Sequence, residues 1–184
     1  MINPQHYFET AEICLNGHVT TSDYERHAGA RTPFCPDCGE RTIHQCPNCH
    51  EPIRGTHYIK GLVTTGINVL YHETYQAVHE EKANKEPYKV PAYCHKCGAA
   101  FPWTQSAIAE ASYLVEKEMP ELNADEKAEF KDSLPKVLSD TPLTTRAAKK
   151  IFGFLKKVAP TAQETFKQIF YRFATDMAKG LIWG

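Results

Sequence analysis

Hydrophobic positions along this chain change their spacing near residue 104. Downstream they return every third or fourth residue, the spacing of one helix face. Ile108, Ala111 and Val115 share such a face with Leu114 beside it, and Thr104 stands in front as a cap. A first helix is therefore predicted from Thr104 to about Lys117, ended by Pro120. Asn123-Ala-Asp-Glu126 has the form of a capping box opening a second helix. Its stripe is Phe130, Leu134, Val137 and Leu138, with Pro135 as a break. Thr141-Pro142 reads as a cap followed by proline at the first helical position. The third helix carries Leu143, Ala147, Ile151, Phe154, Leu155 and Val158, and Pro160 stops it. Thr161-Ala-Gln-Glu164 reads as another capping box. Phe166, Ile169, Phe170, Phe173 and Met177 carry a fourth helix toward Gly180.

Upstream of residue 104 the pattern is short and turn-rich. Strand-like stretches fall at 7–8, 11–13, 41–45, 57–63, 67–71 and 88–93. Residues 19–32 are polar and irregular, with Asp23, Tyr24, Glu25 and Arg26 expected at the surface, and residues 79–87 form an exposed polar run. The break at Phe101-Pro-Trp103-Thr104 divides the chain into 1–104 and 105–184.

The upstream half is punctuated by cysteine. Cys35-Pro-Asp-Cys38-Gly39 and Cys46-Pro-Asn-Cys49 are separated by seven residues. Cys14-Leu-Asn-Gly-His18 precedes them and Cys94-His-Lys-Cys97-Gly98 follows. Two thiolates three positions apart grip one metal only if the chain turns tightly between them, and a following glycine favours that turn. Pro36 stiffens the entry. Seven cysteines and His18 make two complete tetrahedral zinc sites. Sequential pairing puts Cys14, His18, Cys35 and Cys38 on one zinc ion and Cys46, Cys49, Cys94 and Cys97 on the other. The alternatives are interleaved pairing, in which the first and third pairs share a metal, and completion of the first site by His27, His44 or His50. The short gap from Cys38 to Cys46 favours the sequential arrangement. The expected fold class is α+β: a tandem zinc-ribbon half of small β elements, then an all-α region of about four helices.

Such sites are closed. Four protein donors leave no coordination position for water or substrate, which zinc catalysis requires. His72-Glu73 and His79-Glu80 lack the second histidine of a zinc-protease helix. No phosphate loop, dinucleotide glycine motif or serine elbow is present. All seven cysteines are used as ligands, so none is left as a nucleophile, and a redox role for a lone Cys-x2-Cys is the weaker reading of four matched half-sites. The expectation is a protein without catalytic residues or an organic cofactor.

Charge refines the choice of partner. The formal net charge is −1, which predicts no nucleic-acid partner from bulk charge. Residues 1–104 hold 9 basic and 11 acidic side chains, and zinc thiolates add further negative charge. Residues 105–140 hold 4 and 9, and residues 141–184 hold 8 and 2. A protein partner or self-association is expected first. Nucleic acid is the second reading, through Lys149, Lys150, Lys156, Lys157, Lys167 and Arg172. Peripheral membrane contact is the third, because the predicted third helix is basic and amphipathic. The run Met-Ile-Asn-Pro-Gln-His has no leader pattern and no apolar run is long enough to span a bilayer, so a cytoplasmic protein with reduced thiols is expected.

The order of motifs resembles one bacterial family. It runs from Ile13-Cys-Leu-Asn-Gly-His18 through Phe34-Cys-x2-Cys-Gly39 to Cys46-Pro-x-Cys49 with Ile53-Arg-Gly55. It continues with Pro91-Ala-Tyr-Cys94-x2-Cys97-Gly98, Pro102-Trp-Thr104 and Ser139-Asp-Thr-Pro142. This is similar to the family catalogued as domain of unknown function 2321. The resemblance covers most of the chain and implies paired zinc ribbons followed by helices. The stretch 64–88 is longer than the family pattern implies. The family name carries no activity.

Overall fold

The computed structural model describes residues 5–63, 78–83 and 88–184. The expected strand at 67–71 and the His72-Glu73 pair lie outside these residues. The chain divides into two compact units, Met1–Pro91 and Ala92–Gly184.

The first unit holds two antiparallel three-stranded sheets. Strands β1 (Gln5–Thr10), β5 (Arg54–Val63) and β6 (Val78–Ala83) form one, in the order β1-β5-β6. Strands β2 (Glu12–Cys14), β3 (Val19–Thr21) and β4 (Thr42–Ile43) form the other, in the order β3-β2-β4. The chain passes from one sheet to the other at the buried Ala11, whose N–H donates to the Ile53 carbonyl at 2.7 Å. Backbone segments converge here. A Cβ on Gly55 would sit 2.1 Å from the Ser22 carbonyl oxygen and 2.8 Å from the Thr10 carbonyl carbon, so only glycine fits.

Polar side chains do much of the holding in this unit. Asp23 accepts from Ser22 at 2.8 Å and from Thr56 and Tyr58 at 2.9 Å. Tyr7 and Tyr58, paired across β1 and β5, stack at 5.7 Å, and Arg26 lies over the Tyr58 ring while donating to Glu9 at 2.9 Å. Thus 19–32 is not an idle surface segment: it contributes β3, and its acidic and basic side chains clamp the β1–β5 pair. Among the described residues, the buried hydrophobic side chains of this unit are Ala11, Ile13, Ile53 and the cysteines Cys14, Cys35 and Cys46.

The second unit is helical: α1 (Pro102–Glu118), α2 (Ala124–Ser133), α3 (Thr144–Leu155), α4 (Pro160–Phe170) and α5 (Asp176–Ile182). The Asn123–Glu126 capping box is present, with both reciprocal hydrogen bonds at 3.0 Å. Pro135 ends α2 in a 3-10 turn, Pro135–Val137. Four expectations about the helices are corrected. Helix α3 begins at Thr144 after Leu143, so Thr141-Pro142 is not its cap and first residue; the Thr141 hydroxyl accepts from the Leu143 N–H at 3.2 Å and holds a turn ahead of the helix. Helix α1 begins at Pro102, not Thr104, because proline's fixed φ suits the first helical position; Thr104 is buried and its hydroxyl donates to the Ala92 carbonyl at 2.8 Å. Helix α4 begins at Pro160 for the same reason, and Thr161 and Glu164 form no capping box. The predicted fourth helix is two: Thr175 caps α5 through the Ala178 N–H, and its own N–H donates to the Val137 carbonyl at 3.0 Å, which stops α4 from continuing. Residues 88–93 form no strand; among them Tyr93 alone bridges, to Ala100.

The core of this unit is aromatic and aliphatic. Phe130 meets Phe166 edge-on at 5.3 Å, Phe166 stacks on Phe170 at 5.4 Å, and Met119, Leu134, Val137 and Ile151 are fully buried. The apolar stripe of α3 (Ile151, Phe154, Leu155) and Phe170 of α4 are buried in this cluster, so the stripe is scaffold, not a free membrane-binding face. Lys150 and Lys157 of α3 pair with Glu129 and Glu126 of α2. Among the described residues no helix is long and apolar enough to cross a membrane.

Candidate metal centres

Three of the four ligand pairs sit on turns of one design. At the first, Cys35 N–H donates to the Glu40 carbonyl at 2.7 Å and Gly39 N–H to the Cys35 carbonyl at 2.8 Å, closed by a Phe34–Arg41 bridge. At the second, Cys46 N–H reaches Glu51 at 2.8 Å and His50 N–H reaches Cys46 at 2.9 Å, closed by Gln45–Pro52. At the third, Cys94 N–H reaches Ala99 at 2.8 Å and Gly98 N–H reaches Cys94 at 2.9 Å, closed by Tyr93–Ala100. The residue after each second cysteine has positive φ: 72° at Gly39, 58° at His50 and 71° at Gly98. The sequence departs from glycine only at His50, and the backbone does not follow the departure. The remaining pair uses a tighter turn, where Gly17 at φ 82° brings the His18 carbonyl within 2.9 Å of Cys14 N–H.

The donor atoms assemble in two groups of four. Cys14, His18, Cys35 and Cys38 form the first, and Cys46, Cys49, Cys94 and Cys97 the second. Within each, all donors lie within 4.8 Å of one another. Pairing is sequential, not interleaved. His18 is the histidine of the first group; His27, His44 and His50 belong to neither, and His44 stacks on Tyr24 at 4.6 Å.

The spacing fits zinc. With Zn–S near 2.3 Å and Zn–N near 2.0–2.1 Å, tetrahedral edges are about 3.8 Å for S···S and about 3.6 Å for N···S. Cys14 Sγ and Cys38 Sγ are 3.8 Å apart, and His18 Nδ1 lies 3.3 Å from Cys38 Sγ and 3.7 Å from Cys35 Sγ. All seven cysteines are free thiols. These are the ligand sets Cys₃His and Cys₄ of structural zinc. Cys14, Cys35, Cys46 and Cys94 are buried, whereas Cys38 and Cys97 are exposed.

Surrounding groups bias the sulfurs toward ligation. His18 N–H donates to Cys14 Sγ at 3.2 Å and the Asn16 side-chain amide to Cys38 Sγ at 3.5 Å. The backbone N–H of Glu40, then Asn16 and His18, draws the Cys38 thiol down to about 6. Cys14 in the same group is pushed up to about 11, by burial first. The opposition is physical: the exposed sulfur ionises readily, and the buried one needs a cation beside it to do so. Ligand spacing in Cys14-Leu-Asn-Gly-His18 does not mark Asn16, which supports the site without ligating; its short amide inside a ligand turn is the signal that does.

The family model described as "Uncharacterized protein conserved in bacteria (DUF2321)" matches residues 7–182. No curated protein and no solved structure matches the chain.

Proposed function

The chain belongs to this uncharacterised bacterial family, and from its two closed four-donor centres we propose that it is a non-catalytic zinc protein whose ribbons serve as a platform for macromolecular contacts, with protein the first class of partner. The observation that carries this reading is that each group supplies four protein donors to one tetrahedron. Zinc bound there supplies a cross-link between chain segments and no reaction step. The chain's own residues set the platform: the knuckle hydrogen bonds fix each cysteine, and Asn16 and His18 orient the sulfurs of the first centre.

Exposed apolar side chains beside the first centre support a docking role. Phe34, next to Cys35, is 58% exposed, and Val19, next to His18, is also exposed. An exposed aromatic side chain such as Phe34 at the rim of a rigid turn is of the kind enriched at interfaces. The proposed setting is the cytoplasm, where thiols stay reduced.

The test is affinity purification of the zinc-loaded protein from native cells, with hydrogen exchange on any recovered complex. Protection of residues 18–20 and 33–42, together with loss of the complex in Phe34→Ser, is expected. A zinc-replete protein that turns over a substrate, or a complex that survives Phe34→Ser with no protection at either turn, would overturn the proposal.

A further inference from the structure

Because the apolar stripe of α3 is buried, any surface role of this helix falls to its opposite side. That side carries Arg146, Lys149 and Lys156, all exposed, with Phe152 exposed among them and Leu143 exposed at the helix entry. Met177 of α5 is half exposed and receives the Thr145 hydroxyl at 3.2 Å, which places it beside the same face. A cavity of about 530 Å³ opens here, lined by Pro142, Thr145, Arg146, Lys149 and Lys150. Among the described residues no carboxylate lines it. Lys150 is paired with Glu129, whereas Arg146 and Lys149 form no ion pair among the described residues.

We propose that this face docks on an anionic lipid surface. Phosphate headgroups would meet Arg146 and Lys149 in the cavity, and Leu143, Phe152 and Met177 would enter the boundary between headgroups and acyl chains. The physical case is the interleaving of cations with exposed apolar side chains. Cations near an anionic leaflet are attracted to its surface potential, and apolar side chains gain by leaving water at the same depth. Residues 141–184 hold 8 basic and 2 acidic side chains; Glu129 and Glu126 of α2 engage Lys150 and Lys157, which leaves Arg146 and Lys149 to meet the phosphates. A nucleic acid offers the cations the same phosphate but gives the apolar groups nothing. Leu143 and Met177 have no ring for a base, and the Lys156 ammonium sits 4.2 Å over the Phe152 ring, where a base would stack. The surface is independent of both metal centres, so its failure would leave the platform reading untouched.

The experiment sediments the full-length, zinc-loaded protein with vesicles of phosphatidylcholine alone or mixed with phosphatidylglycerol, at low and high salt. Binding to the mixed vesicles only, weakened by salt, is expected. Arg146→Gln with Lys149→Gln should lower partition about 25-fold, at about fivefold per cation removed. Leu143→Ser with Met177→Ser should also lower it, while Arg146→Lys with Lys149→Arg should bind like wild type. All six substitutions are at exposed positions, and circular dichroism with zinc content checks that each variant is folded. Failure of the wild type to bind mixed vesicles overturns the proposal. So does undiminished binding by either weakened variant, or salt-sensitive binding of single-stranded DNA through Arg146 and Lys149 by a protein that ignores vesicles.

Discussion

The hydroxyl of Thr104 donates to the carbonyl of Ala92 at 2.8 Å, and the N–H of Phe101 donates to the same carbonyl at 3.0 Å. One backbone oxygen thus joins the segment leading into the Cys94 turn to the first turn of α1. Thr104→Val keeps the shape of this fully buried side chain and removes one donor. The cost should be about 1 kcal/mol, read as a lower denaturant midpoint with an unchanged slope. An unchanged midpoint would show that the Phe101 N–H alone secures the join.

Metal analysis should return two zinc ions per chain. Cys38→Ser and Cys97→Ser should each lose one. Chelation should raise hydrogen exchange across β1 to β5, because binding and folding free energies are shared at such sites. The core around Phe130, Phe166 and Phe170 should keep its protection, since its contacts are apolar. A stoichiometry of one, or unchanged exchange after complete metal removal, would defeat the double-centre assignment.

His50 occupies a left-handed position that its counterparts Gly39 and Gly98 fill without strain. His50→Gly should raise stability by up to about 1 kcal/mol, the relief of the left-handed penalty less glycine's entropy cost. Gly39→Ala meets no atom within 4 Å and should still cost about 1 kcal/mol from backbone conformation alone. Thermal melts of the two zinc-loaded variants should therefore move in opposite directions. A stabilised Gly39→Ala would contradict the conformational argument.

Acid should weaken the first unit partly through Glu25. Burial alone would raise its carboxyl, but the Thr10 hydroxyl, the Glu9 side chain and the Thr10 N–H bring it down to about 2. Glu9 moves the other way, raised by burial and then by its hydrogen bond to Glu25, so Glu9 takes the first proton. A carboxyl depressed by folding stabilises the fold above its unfolded value near 4.5 and loses that contribution as pH falls toward 2. Glu25→Gln should flatten the stability profile between those limits, by chemical denaturation at fixed zinc. An identical acid limb in wild type and variant would remove Glu25 from the account.

The parts legible in the sequence are those whose chemistry is local. Cys35-x2-Cys38-Gly39 announces a turn because two ligands and one left-handed residue suffice to make it. Asn123 and Glu126 announce a helix start because the box closes within four residues. Thr161 and Glu164 carry the same signal and form no box, because Pro160 has already begun the helix one residue earlier. The split between α4 and α5 depends on the Val137 carbonyl meeting the Thr175 N–H, a contact 38 residues distant in sequence that no local pattern reports. Strand β3 (Val19–Thr21) is only three residues long with one apolar position, too short to show an alternating pattern, and its pairing to Glu12 and Ile13 defines it instead. Ligand identity needed no distant information; ligand grouping did, and the short interval between Cys38 and Cys46 was its trace.

The two ligand groups tie the first unit's folded population to a solute outside the chain. Among the described residues the unit's buried aliphatic side chains are Ala11, Ile13 and Ile53, and with four ligands drawn together at the first centre the folded fraction becomes a function of the free zinc concentration as well as of the sequence. Each tenfold fall in free zinc withdraws about 1.4 kcal/mol through the Cys14–His18–Cys35–Cys38 centre while that centre is near saturation. An apolar core has no such external variable. Metal supply would therefore set how much of this unit is intact at any moment, and the same substitution in it would be silent at high free zinc and unfolding at low.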